Sequence, residues 1–184
     1  AKACLQKIRE RLPEKRVSHS VFTAEYLSSF APALGLDHDD AVMAGLLHDY
    51  CRDLDKESFL LEARQRRMPL SETHMAKPSL LHGPLAAEIC REEFDISDAI
   101  YEAIYWHTTG RPGLNRLGQA LYVADFAEPT RSFEEASETR ALLRKAGFDA
   151  ALLFVAETKV RFNREKPVID PNTEAFLIWL KTKP

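Results

Sequence analysis

The 184-residue sequence has only three cysteines, Cys4, Cys51 and Cys90, and no CxxC pair. An odd, unpaired set of thiols supports neither a disulfide framework nor a zinc ribbon, so these side chains are expected to be reduced and mostly buried. Glycine is scarce, at seven residues, and a composition of 45% hydrophobic and 29% charged residues excludes a fibrous or disordered chain. No apolar run approaches the roughly 18 residues that a bilayer crossing needs. The opening stretch AKACLQKIRERLPEKR is polar and basic, without the apolar core of a secretion signal, so a cytoplasmic protein with no membrane partner is expected. Excess positive charge is missing too. Lys and Arg number 25 against 28 Asp and Glu, a net charge of −3, which removes the whole-molecule field that long nucleic acid would need. A small polyphosphate stays compatible, because a few cations and metal ions in one pocket outweigh the mean surface charge.

Alternating, strand-like runs are also scarce, and no internal repeat or low-complexity tract interrupts the chain. Apolar residues instead recur at helical spacing, as in Val17, Val21, Ala24 and Leu27, or Ile96, Ile100 and Ile104. Residues 41–47 (AVMAGLL) are apolar nearly all round, which predicts a central helix delivering His48 and Asp49 at its inner end. Residues 54–67 read as an exposed amphipathic helix, and 68–79, with two prolines, as a loop. Pro84 suits the first turn of the next helix, with His82 just before it. Ser97 is the expected N-cap of a helix ending at His107, where TTGRPG stops it. Further helices are expected over 117–127, 150–164 and 173–180. At this length residues 1–184 form one domain, an all-α helical bundle with its histidines and aspartates near helix ends.

Six such residues can bind metal: His19, the adjacent His48 and Asp49, His82, His107 and Asp125. Imidazole nitrogen mixed with carboxylate oxygen suits iron, manganese, zinc or nickel better than magnesium, which prefers oxygen. Six ligands serve two ions if Asp49 bridges them and water completes the shells. An HD dipeptide alone is unspecific, and a lone histidine is more often a hydrogen-bonded core or surface residue. Its context here is GLLHD, a helix end so apolar that a buried imidazole and carboxylate need strong compensation, which a cation supplies. His38 and His74 lie in polar or proline-flanked stretches and read as surface residues.

The series RVSHS, LLHDYCRD, PSLLHGP, YWHTTGRPG and VADFAEPTR closely resembles the YqeK proteins, a branch of the HD-domain superfamily. The resemblance spans residues 16 to 170, about the whole chain, in the family's order and spacing, with LLHGP and HTTGRPG its specific parts. It implies an all-α HD-domain helical bundle and a centre of two divalent or mixed-valence transition-metal ions, iron first and manganese second. It also implies symmetrical hydrolysis of diadenosine tetraphosphate to two ADP, an acid-anhydride hydrolysis, by a hydroxide generated on the metals. By position, His19, His48, Asp49 and Asp125 would hold one ion. His82 and His107, with Asp49 bridging, would hold the second, which makes Asp49, His82 and His107 the catalytic set. One departure is visible: related HD proteins carry Lys three residues after the Asp of the HD pair, where this chain has Arg52.

The ligand is then a dinucleoside polyphosphate or a nucleoside diphosphate. Arg52, Lys77, Thr108, Arg111 and Arg131 are the candidate phosphate contacts, since each supplies a cation or hydroxyl in or beside a matched motif. Competing roles exist for several: Arg52 could pair with Asp53 or Asp55, and Lys77 and Arg131 could be solvated loop charges. Arg111, in a loop with two glycines directly after His107, is expected to close over an anion. Tyr105 and Trp106 could stack on adenine, but their spacing from Ile100 and Ile104 also fits the core, so at most one should face the pocket. Rival readings are an HD-type nucleotidase and a non-catalytic helical module that binds metal and nucleotide. A homodimer is compatible with the sequence.

Overall fold

The computed structural model describes residues 2–182, with the side chain of Lys2 left out, and among these residues every regular element is a helix, without strands. Eleven α-helices follow in order: α1 (Lys2–Arg11), α2 (Glu14–Phe30), α3 (His38–Leu47), α4 (Lys56–Gln65), α5 (Glu72–Ala76), α6 (His82–Phe94), α7 (Asp98–Trp106), α8 (Arg116–Ala127), α9 (Glu134–Lys145), α10 (Phe148–Arg164) and α11 (Pro171–Thr182). The all-α expectation therefore holds. None of these helices is long and apolar enough to cross a membrane.

The centre of the bundle is built around α3. Asp37 caps it by accepting the N–H groups of Asp39 and Asp40, each at 2.9 Å. Its last turn buries Ala44, Gly45, Leu46 and Leu47 against α2, α7 and α8. Gly45 explains how closely α2 and α3 approach. A Cβ at this position would lie 2.4 Å from Ala24 Cα and 2.7 Å from Ala24 N, both backbone atoms. Gly45→Ala therefore forces the two helices apart, an overpacking cost of about 1–3 kcal/mol. Thermal unfolding of this variant, followed by circular dichroism, is expected to fall by about 3–10 °C, since each kcal/mol moves Tm by about 2–4 °C at this size. An unchanged Tm would contradict the tight crossing.

Other elements sharpen or correct the sequence reading. Ser97 caps α7 as expected, accepting Ile100 N–H at 3.3 Å. The 54–67 helix is shorter, running from Lys56 to Gln65, with Asp55 as its N-cap. The stretch expected to be a loop contains the five-residue α5, held by a reciprocal capping box between Ser71 and His74. Then comes a 3-10 turn over Pro78–Leu81 that runs directly into α6. His82 is consequently the first residue of α6 rather than its predecessor. Pro84 still falls within the first turn, where its missing N–H needs no partner. Neither α1 nor α9 was expected. The α9 sequence EEASETRALLRK buries only Ala136 and Thr139, too narrow an apolar stripe to read as periodic.

Candidate metal centre

Five elements deliver the six residues to one place. His19 lies on the buried face of α2, His48 and Asp49 directly follow α3, His82 opens α6, His107 follows α7, and Asp125 sits in the last turn of α8. At His48, Asp49, His82 and His107 a helix boundary frees the side chain to point into the gap between helices, whereas His19 projects from within α2. The boundary also supplies an acceptor one turn back. His48 Nδ1 donates to Gly45 O at 2.8 Å, His82 Nδ1 to Ser79 O at 2.6 Å, and His107 Nδ1 to Ile104 O at 2.7 Å. Each bond fixes the tautomer and leaves the Nε2 lone pair facing the centre, as metal-binding imidazoles require. His19 is oriented differently: its Nδ1 stands 3.2 Å from Glu128 Oε1 and its Nε2 3.0 Å from Asp125 Oδ1.

The ligand atoms converge on two points that share Asp49. Its Oδ1 lies 3.5 Å from His82 Nε2 and 3.7 Å from His107 Nε2, while its Oδ2 lies 3.8 Å from His48 Nε2. His48 Nε2 is also 3.6 Å from Asp125 Oδ1. Two observations show that these residues fit metal ions. His48 Nε2 is buried with no hydrogen-bond partner, a costly state for a polar atom unless a cation takes its lone pair. His82 and His107 both donate through Nδ1, so their Nε2 lone pairs face each other at 3.0 Å, a repulsive contact that a shared cation turns attractive. Metal–nitrogen bonds of about 2.1 Å place neighbouring ligands about 3 Å apart, close to the spacing seen.

The electrostatics agree. Burial works against ionised Asp49, but His48, His107 and His82 around it outweigh that cost and hold the carboxyl far below its usual range. Asp125 is likewise held low against burial by the imidazoles of His19 and His48 beside it. Burial would lower His48, yet Asp49 and Asp125 raise it. His82 is pushed down to about 3, first by burial and then by neighbouring His107, so its ring is neutral at pH 7 and its lone pair is free.

A cavity of about 520 Å³ opens over the centre. Of the expected phosphate contacts, Arg52, Lys77, Thr108 and Arg131 line it. Arg52 faces the cavity, while Asp55 serves as the α4 cap. The Thr108 hydroxyl stands 3.1 Å from His82 Nε2 and 3.2 Å from His107 Nε2, directly over the ligand nitrogens. Arg131 reaches Asp125 Oδ1 at 3.3 Å and His19 Nε2 at 3.2 Å. Arg111 is a correction. It is ion-paired with Glu102 and lines a separate surface groove together with Tyr105 and Trp106. The reason is the loop itself: Gly110, at φ +67°, packs against the Phe176 ring of α11, which fixes the turn away from the cavity instead of letting it fold over an anion. His38 is exposed, and His74 is spent on the α5 cap, as surface roles require.

Sequence reasoning missed four residues of the site. Arg16 approaches Asp49 Oδ2 at 3.6 Å, and its position one turn before His19 was the available signal. Glu128 is buried within the VADFAEPTR motif and orients His19. Lys159 and Lys166 line the cavity from α10 and the segment after it, where no motif marks them. Lys159 donates to the carbonyl oxygens of His107 and Thr108 at 3.3 and 3.4 Å and lies 3.7 Å above the Tyr122 ring. Burial lowers its pKa to about 8.

Fold and site together define an all-α domain with a histidine and aspartate metal centre assembled at helix ends. The HD domain profile matches residues 16–149, and the chain belongs to the HD-domain family. It is 31% identical over 176 residues to the bis(5'-nucleosyl)-tetraphosphatase, symmetrical, of Bacillus subtilis (strain 168), covering 94% of this chain and 93% of the relative. A protein of the same name from Staphylococcus aureus (strain NCTC 8325 / PS 47) is 30% identical over 162 residues, covering 87% and 83%. Among solved structures, a predicted HD superfamily hydrolase involved in NAD metabolism from Clostridium acetobutylicum superposes with a TM-score of 0.93 at 26% identity, covering 100% of this chain and 97% of that one.

Proposed function

We propose that this chain is a metal-dependent phosphohydrolase that cleaves diadenosine tetraphosphate symmetrically into two ADP. The carrying observation is the arrangement of Asp49, whose two oxygens face two different groups of imidazoles at the floor of a cavity lined by six cations: Arg16, Arg52, Lys77, Arg131, Lys159 and Lys166. The activity named for the Bacillus and Staphylococcus relatives is the one this arrangement suits. His19, His48, Asp49 and Asp125 would hold one ion, and Asp49, His82 and His107 the other, all from one chain. The mixed nitrogen and oxygen donor set favours transition metals, with iron the first choice and manganese the second. Bound there, two such ions supply Lewis acidity and lower the pKa of water towards neutrality.

The chain's own residues do the remaining work. Arg52, Lys77 and Lys166 form one cationic wall: burial lowers the Lys77 pKa, and Lys166 and Arg52 nearby lower it further. That wall holds phosphate oxygens as charge shifts from the attacked phosphorus to the leaving group. Arg131 and Lys159 face it from the α8 and α10 side. The Thr108 hydroxyl, over His82 and His107, can orient either water or a phosphate oxygen. Water forms a bond to one of the two inner phosphorus atoms, the bridging P–O bond between the halves breaks, and each product carries two phosphates.

Chromatography of the products from diadenosine tetraphosphate, with metal content measured on the same sample, tests this. ADP alone is expected. ATP with AMP would overturn the symmetrical reading, and rapid cleavage of mononucleotides without turnover of the dinucleotide would make the protein a nucleotidase. Metal-loaded protein without turnover of either would make it a binding module.

A further inference from the structure

The cavity has a second character away from the metal floor. Among the described residues, the exposed large hydrophobic side chains include three aromatic rings, and two of these, Phe133 at 37% and Phe162 at 39% exposure, line this cavity. They come from different elements, the residue preceding α9 and the last turn of α10. Both rings are over a third exposed, Phe162 with the Arg161 guanidinium 5.5 Å from its ring centroid, so a flat ligand that covers their open faces gains contact area there. Behind them Phe126 is buried, and Phe133 meets it at 5.1 Å in a T-shaped contact that leaves at least one face of Phe133 uncovered. An ion pair at 2.9 Å between Arg161 and Glu135 ties the start of α9 to the end of α10 beside both rings. The aromatic wall is thus held in place, not loose.

We propose that Phe133 and Phe162 form a nucleobase subsite at the cavity wall, where they take the base of one nucleoside diphosphate half while its phosphates pass Arg131 and Lys166 towards the metal floor. This rests on the phosphohydrolase reading of the same cavity. Aromatic faces next to a row of cations match a ligand that is a flat π-system at one end and a polyanion at the other. The subsite is what separates a dinucleoside substrate from inorganic polyphosphate, which the metal centre and the cations alone would hold. Stacking accepts every base, so adenine and guanine diphosphates are held about equally.

Binding, rather than turnover, tests this directly. Titration calorimetry of the metal-loaded protein compares ADP, GDP and pyrophosphate, the last carrying the phosphates without a base. For the native chain, ADP and GDP bind more tightly than pyrophosphate. In Phe133→Ala and Phe162→Ala, ADP affinity is expected to fall about tenfold for each ring lost, with pyrophosphate affinity within twofold of native. Phe133→Trp, which restores a π-face, keeps ADP affinity. Neither residue threatens folding: both rings are exposed, and Phe133 makes no side-chain cap to α9. Equal weakening of ADP and pyrophosphate, or unchanged ADP binding in both alanine variants, overturns the subsite. A native chain that shows the base-dependent pattern but releases no ADP from diadenosine tetraphosphate keeps the subsite and loses the hydrolase reading. Symmetrical cleavage without the pattern does the reverse.

Discussion

Replacing Asp49 with alanine is expected to lower kcat/KM for diadenosine tetraphosphate by about a thousandfold or more, the equivalent of about 4 kcal/mol of lost transition-state stabilisation. Among the described residues no other carboxylate faces both sides of the centre: Oδ1 serves His82 and His107, and Oδ2 serves His48. Its loss removes the negative charge that lets three buried histidines gather around cations. Metal content measured by mass spectrometry should fall from two ions per chain to one or none. Asp49→Asn separates charge from shape, because the amide fills the same space with one neutral acceptor oxygen. It is expected to recover folding but little activity or metal. An Asp49→Ala protein that keeps two ions and native turnover would remove Asp49 from the chemistry altogether.

The residues at this site were legible in the sequence for a specific reason. His48, His82, His107 and Asp125 each sit at or near a helix end inside a short motif, and helix ends are what the apolar periodicity and the turn residues mark best, while His19 lies within α2 and is marked only by its motif RVSHS. GLLHD carried its own energetic argument, since the helix around His48 offers nothing polar to satisfy a carboxylate. The cationic wall was less legible. Lys159 and Lys166 come from α10 and the segment that follows it, more than 50 residues after His107, and only tertiary packing brings them to the cavity. Phe133 and Phe162 looked like ordinary apolar positions, and their exposure is a property of the folded surface. Arg111 failed in the opposite direction. Its neighbours in sequence pointed to an anion, but Glu102, nine residues earlier in the middle of α7, captures its guanidinium. The packing of Gly110 on Phe176 then fixes the turn, and no local pattern announces a contact across 66 residues.

Adding iron or manganese to chelator-stripped protein is expected to raise its Tm by about 10–20 °C. The metal-free centre carries its own destabilisation, in the partnerless His48 Nε2 and in the Nε2 lone pairs of His82 and His107 facing at 3.0 Å. Ions that bind the folded state remove both costs. At a hundredfold over Kd each site adds about 2.7 kcal/mol, and each kcal/mol shifts Tm by about 2–4 °C in a chain of this length. Two sites double the gain, so a calorimetric titration should show two steps. His82→Ala should abolish one step and leave the other, because His19, His48 and Asp125 form a cluster that does not include His82. Magnesium, which prefers oxygen ligands and keeps its waters, is expected to give a much smaller rise at the same concentration. A Tm that ignores iron and manganese would mean that the buried imidazoles are satisfied without a cation, and the strain between His82 and His107 would then need another source of relief.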